Sequence, residues 1–162
     1  GSDDFAVMVA EMRGPRTVAG WIWQPRHGLG YQATVGGGVT RNGAPVTPSP
    51  THPRPTGATG QRLWRGFDAA GRPAPLRESS HCAGVDYPQV VTGLLDFVAY
   101  RRPRPWDHLA GGLMLTEMGG GIVHFDGSPW TPGGPETPII SSRDLDTARR
   151  VGALWLPYTL RS

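Results

Sequence analysis

Asp107 is the residue best placed to do chemistry in this chain. It sits in Pro105-Trp106-Asp107-His108-Leu109-Ala110-Gly111-Gly112-Leu113-Met114-Leu115-Thr116-Glu117-Met118-Gly119-Gly120, which reads as a short helix with a carboxylate at its mouth. A carboxylate there has a plain use, accepting hydrogen bonds from the free N–H groups of the first turn as a cap. His81 and Cys82 are a second candidate, either as a metal pair or as a base and a nucleophile. Consecutive side chains do not easily face one site, so they read as a capping imidazole and a buried thiol. Arg101-Arg102-Pro103-Arg104-Pro105 is a basic loop just ahead of Asp107. Its arginines are either simply solvated or a guide for an anionic ester or acidic partner. Gly36-Gly37-Gly38 lacks the Gly-Lys-Ser or Gly-Lys-Thr ending of a phosphate loop and reads as a bulge before an Asn42-Gly43 hairpin turn. Asp3 and Asp4 read as solvated terminal acids.

Several elements must position these groups. Phe5 to Glu11 reads as a buried strand, Thr17 to Gln24 as the next and Leu29 to Val35 as a third, in an antiparallel meander. Period two puts Val18 on one face of the second strand and Trp21 and Trp23 on the other. Thr47 to Glu78 reads as a Pro/Gly-rich loop, because alternate prolines oppose both helix and ladder bonding. A helix follows from Ser79 to about Gly93, then a strand from Leu95 to Tyr100. In the Asp107 helix, Asp107, Ala110, Gly111, Met114 and Met118 share one face at about 100° per residue. Little of it is polar, so it should be mostly buried, and its small residues should let another backbone come close. Strands over Gly121–Phe125 and Pro138–Ser142 and a terminal amphipathic helix over Asp144–Trp155 complete the chain. The organisation is therefore a meander (1–46), a loop (47–78) and an α/β portion (79–162).

The bulk numbers set bounds. With 162 residues the chain can build one real core. Hydrophobic residues make 38%, and 24 Gly with 17 Pro make loops abundant. A net charge of +3 is too small to argue for nucleic acid. A single cysteine excludes an internal disulfide and fits a cytoplasmic setting. No apolar run is long enough to span a membrane.

The Trp106-Asp107 string, followed by Gly121-Ile122-Val123-His124-Phe125-Asp126-Gly127-Ser128-Pro129-Trp130, resembles the second signature of the inositol monophosphatase-like family of metal-dependent phosphatases. Gly93, Asp96 and Tyr100 resemble the strand that leads towards that signature, and the glycine-rich turn with Asn42-Gly43 is similar to the family's turn after its antiparallel strands. The resemblance implies the carboxyl-terminal part of an αβαβα layered sandwich, of α/β (α+β) class. It implies magnesium as cofactor, Asp107 as one ligand, and a small phosphorylated metabolite as substrate. Metal ions in such a site activate water, neutralise phosphoryl oxygens and stabilise the leaving alkoxide. It places His81, Cys82 and Ala83 close to substrate at backbone level. Tyr100 stands where members often have a substrate-facing carboxylate, which points to a different substrate or to none. It also implies a strand and a helix in the 47–78 interval, which these residues do not display.

The family's Asp-Pro-x-Asp-Gly-Thr string is absent from these residues, so most of the ligand set is missing. Two readings follow. One is a fragment or truncated relative of a magnesium-dependent phosphomonoesterase, inactive as this chain alone. The other is a non-catalytic binding or assembly module on the same scaffold. Family members commonly pair, so the resemblance leaves a homodimer open with either, while the residues themselves do not show the oligomeric state.

Overall fold

Alternation of apolar and polar residues builds the first quarter of the chain. The computed structural model describes residues 4–47, 49–69 and 75–159. Strands β1 (Val7–Arg13), β2 (Arg16–Gln24), β3 (Leu29–Thr34), β4 (Gly38–Arg41) and β5 (Ala44–Pro45) pair antiparallel in sequence order as sheet A. The register sets Val7 opposite Trp23 and Val9 opposite Trp21. These four share one face and are largely exposed, while Ile22, Tyr31, Ala33 and Val39 are buried from the other. The expectation of a buried strand over Phe5 to Glu11 is therefore corrected. β1 is an edge strand with only one half-covered face, because nothing in the described residues packs on the other. Expected Asp3 lies outside the described residues.

Sheet B is mixed. Its order is β7 (Leu76–Glu78), β6 (Gly57–Thr59), β8 (Phe97–Tyr100), β10 (Ile139–Ser142), β9 (Gly121–His124). β6 runs parallel to β7 and β8, and β10 antiparallel to β8 and β9. Helix α1 (Gln61–Ala69) joins β6 to β7. The 47–78 interval is thus no plain loop. It holds strand, helix and strand, and β6 lies inside the sheet. The strand escapes a periodicity reading because it is three residues long, and its Gly57 lies flat beneath the Phe97 ring, where a Cβ would collide. The proline-rich stretch before it is pinned. The fully buried Asp96 carboxylate accepts from His52 N (3.1 Å) and Thr56 N (2.7 Å). Arg143 pairs with Asp96 at 2.8 Å and donates to the carbonyls of Ser49 (2.9 Å) and Pro50 (3.0 Å).

Helices α2 (Ala83–Val91) and α3 (Pro105–Glu117) fill the space between the sheets, and α1 and α4 (Leu145–Thr159) cover the far side of sheet B. One core lies between the sheets around Ile22, Tyr87, Val90, Leu113 and Met114. A second lies between sheet B and α4 around Phe97, Ile140, Val151 and Trp155. The described residues therefore stack as sheet, helices, sheet, helices, the mixed layered class anticipated. α2 starts at Ala83, four residues later than expected, because His81 is held at φ 61, outside helical space. α3 is mostly buried, as its composition demands. A Cβ on Gly20 would come within 2.9 Å of the Ala110 Cα, and Gly111 lies against the Tyr87 ring. Its far end is fixed by Glu117, whose carboxylate accepts from Gly36 N (3.1 Å) and Gly38 N (3.0 Å), so the triple glycine is a turn clasped by α3. No helix among the described residues is long and apolar enough to cross a membrane.

Candidate functional site

Pro105 opens α3 with its φ already helical and no N–H to lose, and Arg104 occupies the cap position. Asp107 is then the third helical residue, and its carboxylate makes no cap bond. The capping alternative is thereby set aside. Asp107 faces a cavity of about 1030 Å³ together with His81, Cys82, Ala83, Tyr100 and the Arg101–Arg102 pair. Burial raises the Asp107 pKa, and the charge of Arg104 partly offsets this. Arg104 itself is held 2.6 Å from Glu136.

The opposite wall is the amino end of α2. Gln24, buried at the end of β2, donates from Nε2 to the Gly84 carbonyl at 2.8 Å and ties the meander to this helix. Gly84 leaves no room for a Cβ against Ala6, so the chain entering β1 passes close over the same end. Cys82 is the residue before the helix, and its side chain makes no cap bond. Burial pushes its thiol pKa up, with the Gly84 and Val85 N–H groups opposing, so it stays a thiol. His81 does not cap either. Its Nε2 lies 3.2 Å from Glu78 at the surface. Ala83 lines the same wall.

Two buried polar groups behind this wall were not read from sequence. Asp86 is almost fully buried in α2 and accepts from Ser79 Oγ (2.6 Å), Ser80 N (3.0 Å), Ser80 Oγ (2.8 Å) and Tyr100 OH (3.1 Å). Burial first, then the Asp86 charge, drives the Tyr100 pKa well up, so the phenol keeps its proton. His108 is buried beside Tyr100, with Nδ1 2.9 Å from Tyr87 OH, which also lies 2.9 Å from Ser141 Oγ. Burial pulls the His108 pKa down to about 4, so it is neutral at pH 7. The one signal available was a charged residue inside the apolar run Val85-Asp86-Tyr87. The Tyr87–Ser141 partnership spans 54 positions and leaves no local trace.

With the site laid out, comparison with known proteins decides the family. The model of the inositol monophosphatase family matches residues 1–155. The chain belongs to the inositol monophosphatase family. It is similar to the inositol-1-monophosphatase ImpA of Mycolicibacterium smegmatis, 29% identical over 146 residues, covering 81% of this chain and 52% of that protein. A probable inositol 1-monophosphatase ImpA of Mycobacterium tuberculosis is 28% identical, covering 82% of this chain and 54% of that one. The chain thus spans about half the length of these relatives. Among solved structures, inositol monophosphatase II of Staphylococcus aureus superposes with a TM-score of 0.79 at 21% identity, over 95% of this chain and 61% of that one. The inositol monophosphatase of Anabaena gives 0.79 at 21%, over 94% and 64%. At that identity these structures establish the fold, which is the family's.

Membership raises the question of metal. Magnesium takes six oxygens in octahedral geometry. Among the described residues no three His, Cys, Asp or Glu side chains gather where they could hold an ion. Asp107 fits as a single oxygen donor, and the described residues do not by themselves complete the cage.

Proposed function

We propose that these residues form one wall of a phosphomonoesterase site acting on a small phosphate ester with magnesium as cofactor. In this reading Asp107 is one ligand, and His81, Cys82, Ala83 and Tyr100 bound the substrate. The carrying observation is the uncapped Asp107 carboxylate opening onto a cavity shared with the amino end of α2. The partial positive charge at the amino end of α2 favours an anion there. Tyr100 and Asp86, bonded to each other, give the wall a fixed shape.

Because the described residues hold one candidate ligand, the purified chain is expected to release little phosphate from small esters. Substantial magnesium-dependent release would overturn that part. Manganese, a spectroscopic stand-in, is expected to bind weakly, and Asp107→Asn is expected to abolish that binding. Unchanged manganese binding in the variant would remove Asp107 from the metal site.

A second reading is a non-catalytic binding module on the same scaffold, favoured by the absence of a converging ligand cluster among the described residues. Under it, phosphate esters bind equally well with and without magnesium in a calorimeter. Pairing of two chains belongs to the proposal as well, supported by the open edge of β1. Sedimentation at tens of micromolar should give a dimer mass, and a monomer would dismiss it. A cytoplasmic setting fits the single, half-buried thiol.

A further inference from the structure

We propose that β1 is a self-association strand. Two copies of the chain pair edge to edge, β1 antiparallel to β1 about a two-fold axis near Met8, and sheet A runs on from one copy into the other. The inference rests on the pairing of two chains proposed above and names the surface that makes it.

The first observation is how the sheet edges differ. An edge strand presents unpaired N–H and C=O groups, and proteins keep such edges short, cover them, or mark them with proline or charge. Among the described residues three of the four edges follow that rule. β5 has two residues, one of them Pro45. β7 has three, Arg77 and Glu78 among them. β9 is closed by its own chain, with His124 N donating to the Ser128 carbonyl (2.8 Å), Trp130 N to that of Ile122 (3.2 Å), and a bridge from Val123 to Pro129. β1 is the exception. It has seven residues, and no described strand pairs with its free side. From Phe5 to Ala10 it holds no proline and no charge.

The second is how well the strand fits a copy of itself. Its register against β2 slips only between Glu11 and Met12, so Val7 to Ala10 is regular strand. About an axis at Met8, Val7 of one copy lies opposite Val9 of the other, on the outer face where they are 55% and 54% exposed. Apolar residues set directly opposite are favourable cross-strand neighbours. Trp23 and Trp21 are their partners in β2, so the apolar face continues across the axis. The ends match as well. Asp4 precedes the strand, whereas Arg13 and Arg16, opposite each other, outweigh Glu11 at its far end. Antiparallel order brings the acidic end of each copy to the basic end of the other. An axis at Glu11 would set two carboxylates face to face, which repulsion opposes.

The third is that β1 is already ordered. Ala6, Met8 and Ala10 pack on the core from its inner side, and Gly84 lets Ala6 and Met8 sit close over the amino end of α2. A pre-formed strand loses little freedom on pairing. Asp4, Phe5, Ala6 and Met8 also line the cavity that Asp107 faces, so the second copy braces one of its walls.

The test is sedimentation with amide hydrogen exchange on the purified chain. The natural chain should give a dimer mass, and exchange over Val7–Ala10 should slow as protein concentration rises. Val7→Lys with Val9→Lys puts like charges across the axis and should weaken association roughly tenfold or more. Val7→Glu with Val9→Glu should do the same, and an equal mixture of the two variants should recover the dimer. These side chains face outward, so the circular dichroism of each variant should match that of the natural chain at low concentration. Trp23→Ser, on the outer face but off the edge, should leave the mass unchanged. A natural chain that stays monomeric removes the pairing and the inference together. A dimer that survives the two lysines leaves pairing standing and overturns the β1 edge, as does a mixture that does not recover. Loss of the dimer in Trp23→Ser would mean that the copies stack face to face, and would overturn it too. None of these outcomes touches the phosphatase reading, which phosphate release and manganese binding test separately.

Discussion

Sheet A and sheet B use the same kind of residue in opposite ways. Sheet B has helices on both sides, and its inner strands are buried without alternation, as in Phe97-Val98-Ala99 and Ile139-Ile140-Ser141-Ser142. Sheet A is covered on one face by α3 and α2 and carries Val7, Val9, Trp21 and Trp23 on the other. An antiparallel sheet with a wet face normally turns polar residues outward. This one turns two indoles and two valines outward as cross-strand neighbours. Apolar content therefore does not measure what a strand contributes to stability here. What matters is whether something lies over it. Burial near sheet B should dominate the folding free energy, and the outer face of sheet A should contribute little.

The sharpest way to break that contrast is Asp96→Ala. Asp96 and Arg143 are both essentially buried and 2.8 Å apart, and between them they hold His52, Thr56, Ser49 and Pro50. Removing one partner leaves a buried guanidinium without its counter-charge, a loss of about 3–5 kcal/mol in urea unfolding. The same pair sets a pH dependence. Burial alone would raise the Asp96 pKa, but Arg143, Thr56 and His52 together hold it below its ordinary value. A lowered folded pKa gives stability that is present above the unfolded value and is lost as pH falls through the folded one. Unfolding midpoints followed downward from about pH 4 should therefore drop more steeply for the natural chain than for Asp96→Asn. Parallel slopes would mean the pair is not ionised in the fold.

Next in size is Ile22→Ala, on the covered face of sheet A. Ile22 is 1% exposed and packs in the core between the sheets, so truncation should cost about 2–5 kcal/mol. Glu117→Gln should cost less, about 1–2 kcal/mol, since one amide oxygen replaces a carboxylate accepting two backbone N–H groups from the Gly36–Gly38 turn. A loss as large as that of Ile22→Ala would mean the clasp organises the whole meander rather than one turn.

The contrast between the sheets also explains what could be read from the sequence. Sheet A was legible because a half-covered sheet writes its period into the chain and its turns demand glycine or asparagine, as at Gly14, Asn42 and Gly43. α3 was legible from Pro105, its small residues and Gly119. β6 was not, because a strand covered on both faces needs no alternation, and Gly57 is dictated by a ring 40 positions away, Phe97. The outward valines of β1 were misread as buried, since hydrophobicity alone does not say which face is covered. In the site, the place of Asp107 on the first turn of α3 was legible from Pro105 and the residues after it. Asp86 and His108 were not, because their meaning lies in Tyr100, Tyr87 and Ser141, which only the fold brings to them.

The smallest expected effect is the most telling for the comparison. Trp23 adjoins Ile22, yet it is 45% exposed, opposite Val7 in the register and with its ring close to Gly30. A cross-strand aromatic pair contributes roughly 0.2–1 kcal/mol, so Trp23→Ser should lower stability by less than about 1 kcal/mol. Measured beside Ile22→Ala in the same urea series, the two substitutions differ by one position and by which face they occupy. A several-fold difference in cost would establish that coverage, not residue type, sets the contribution of sheet A. Equal costs would mean that the outer face is covered in solution, and the concentration dependence of the midpoint would then tell whether a second copy of the chain covers it, because only association makes stability rise with protein concentration.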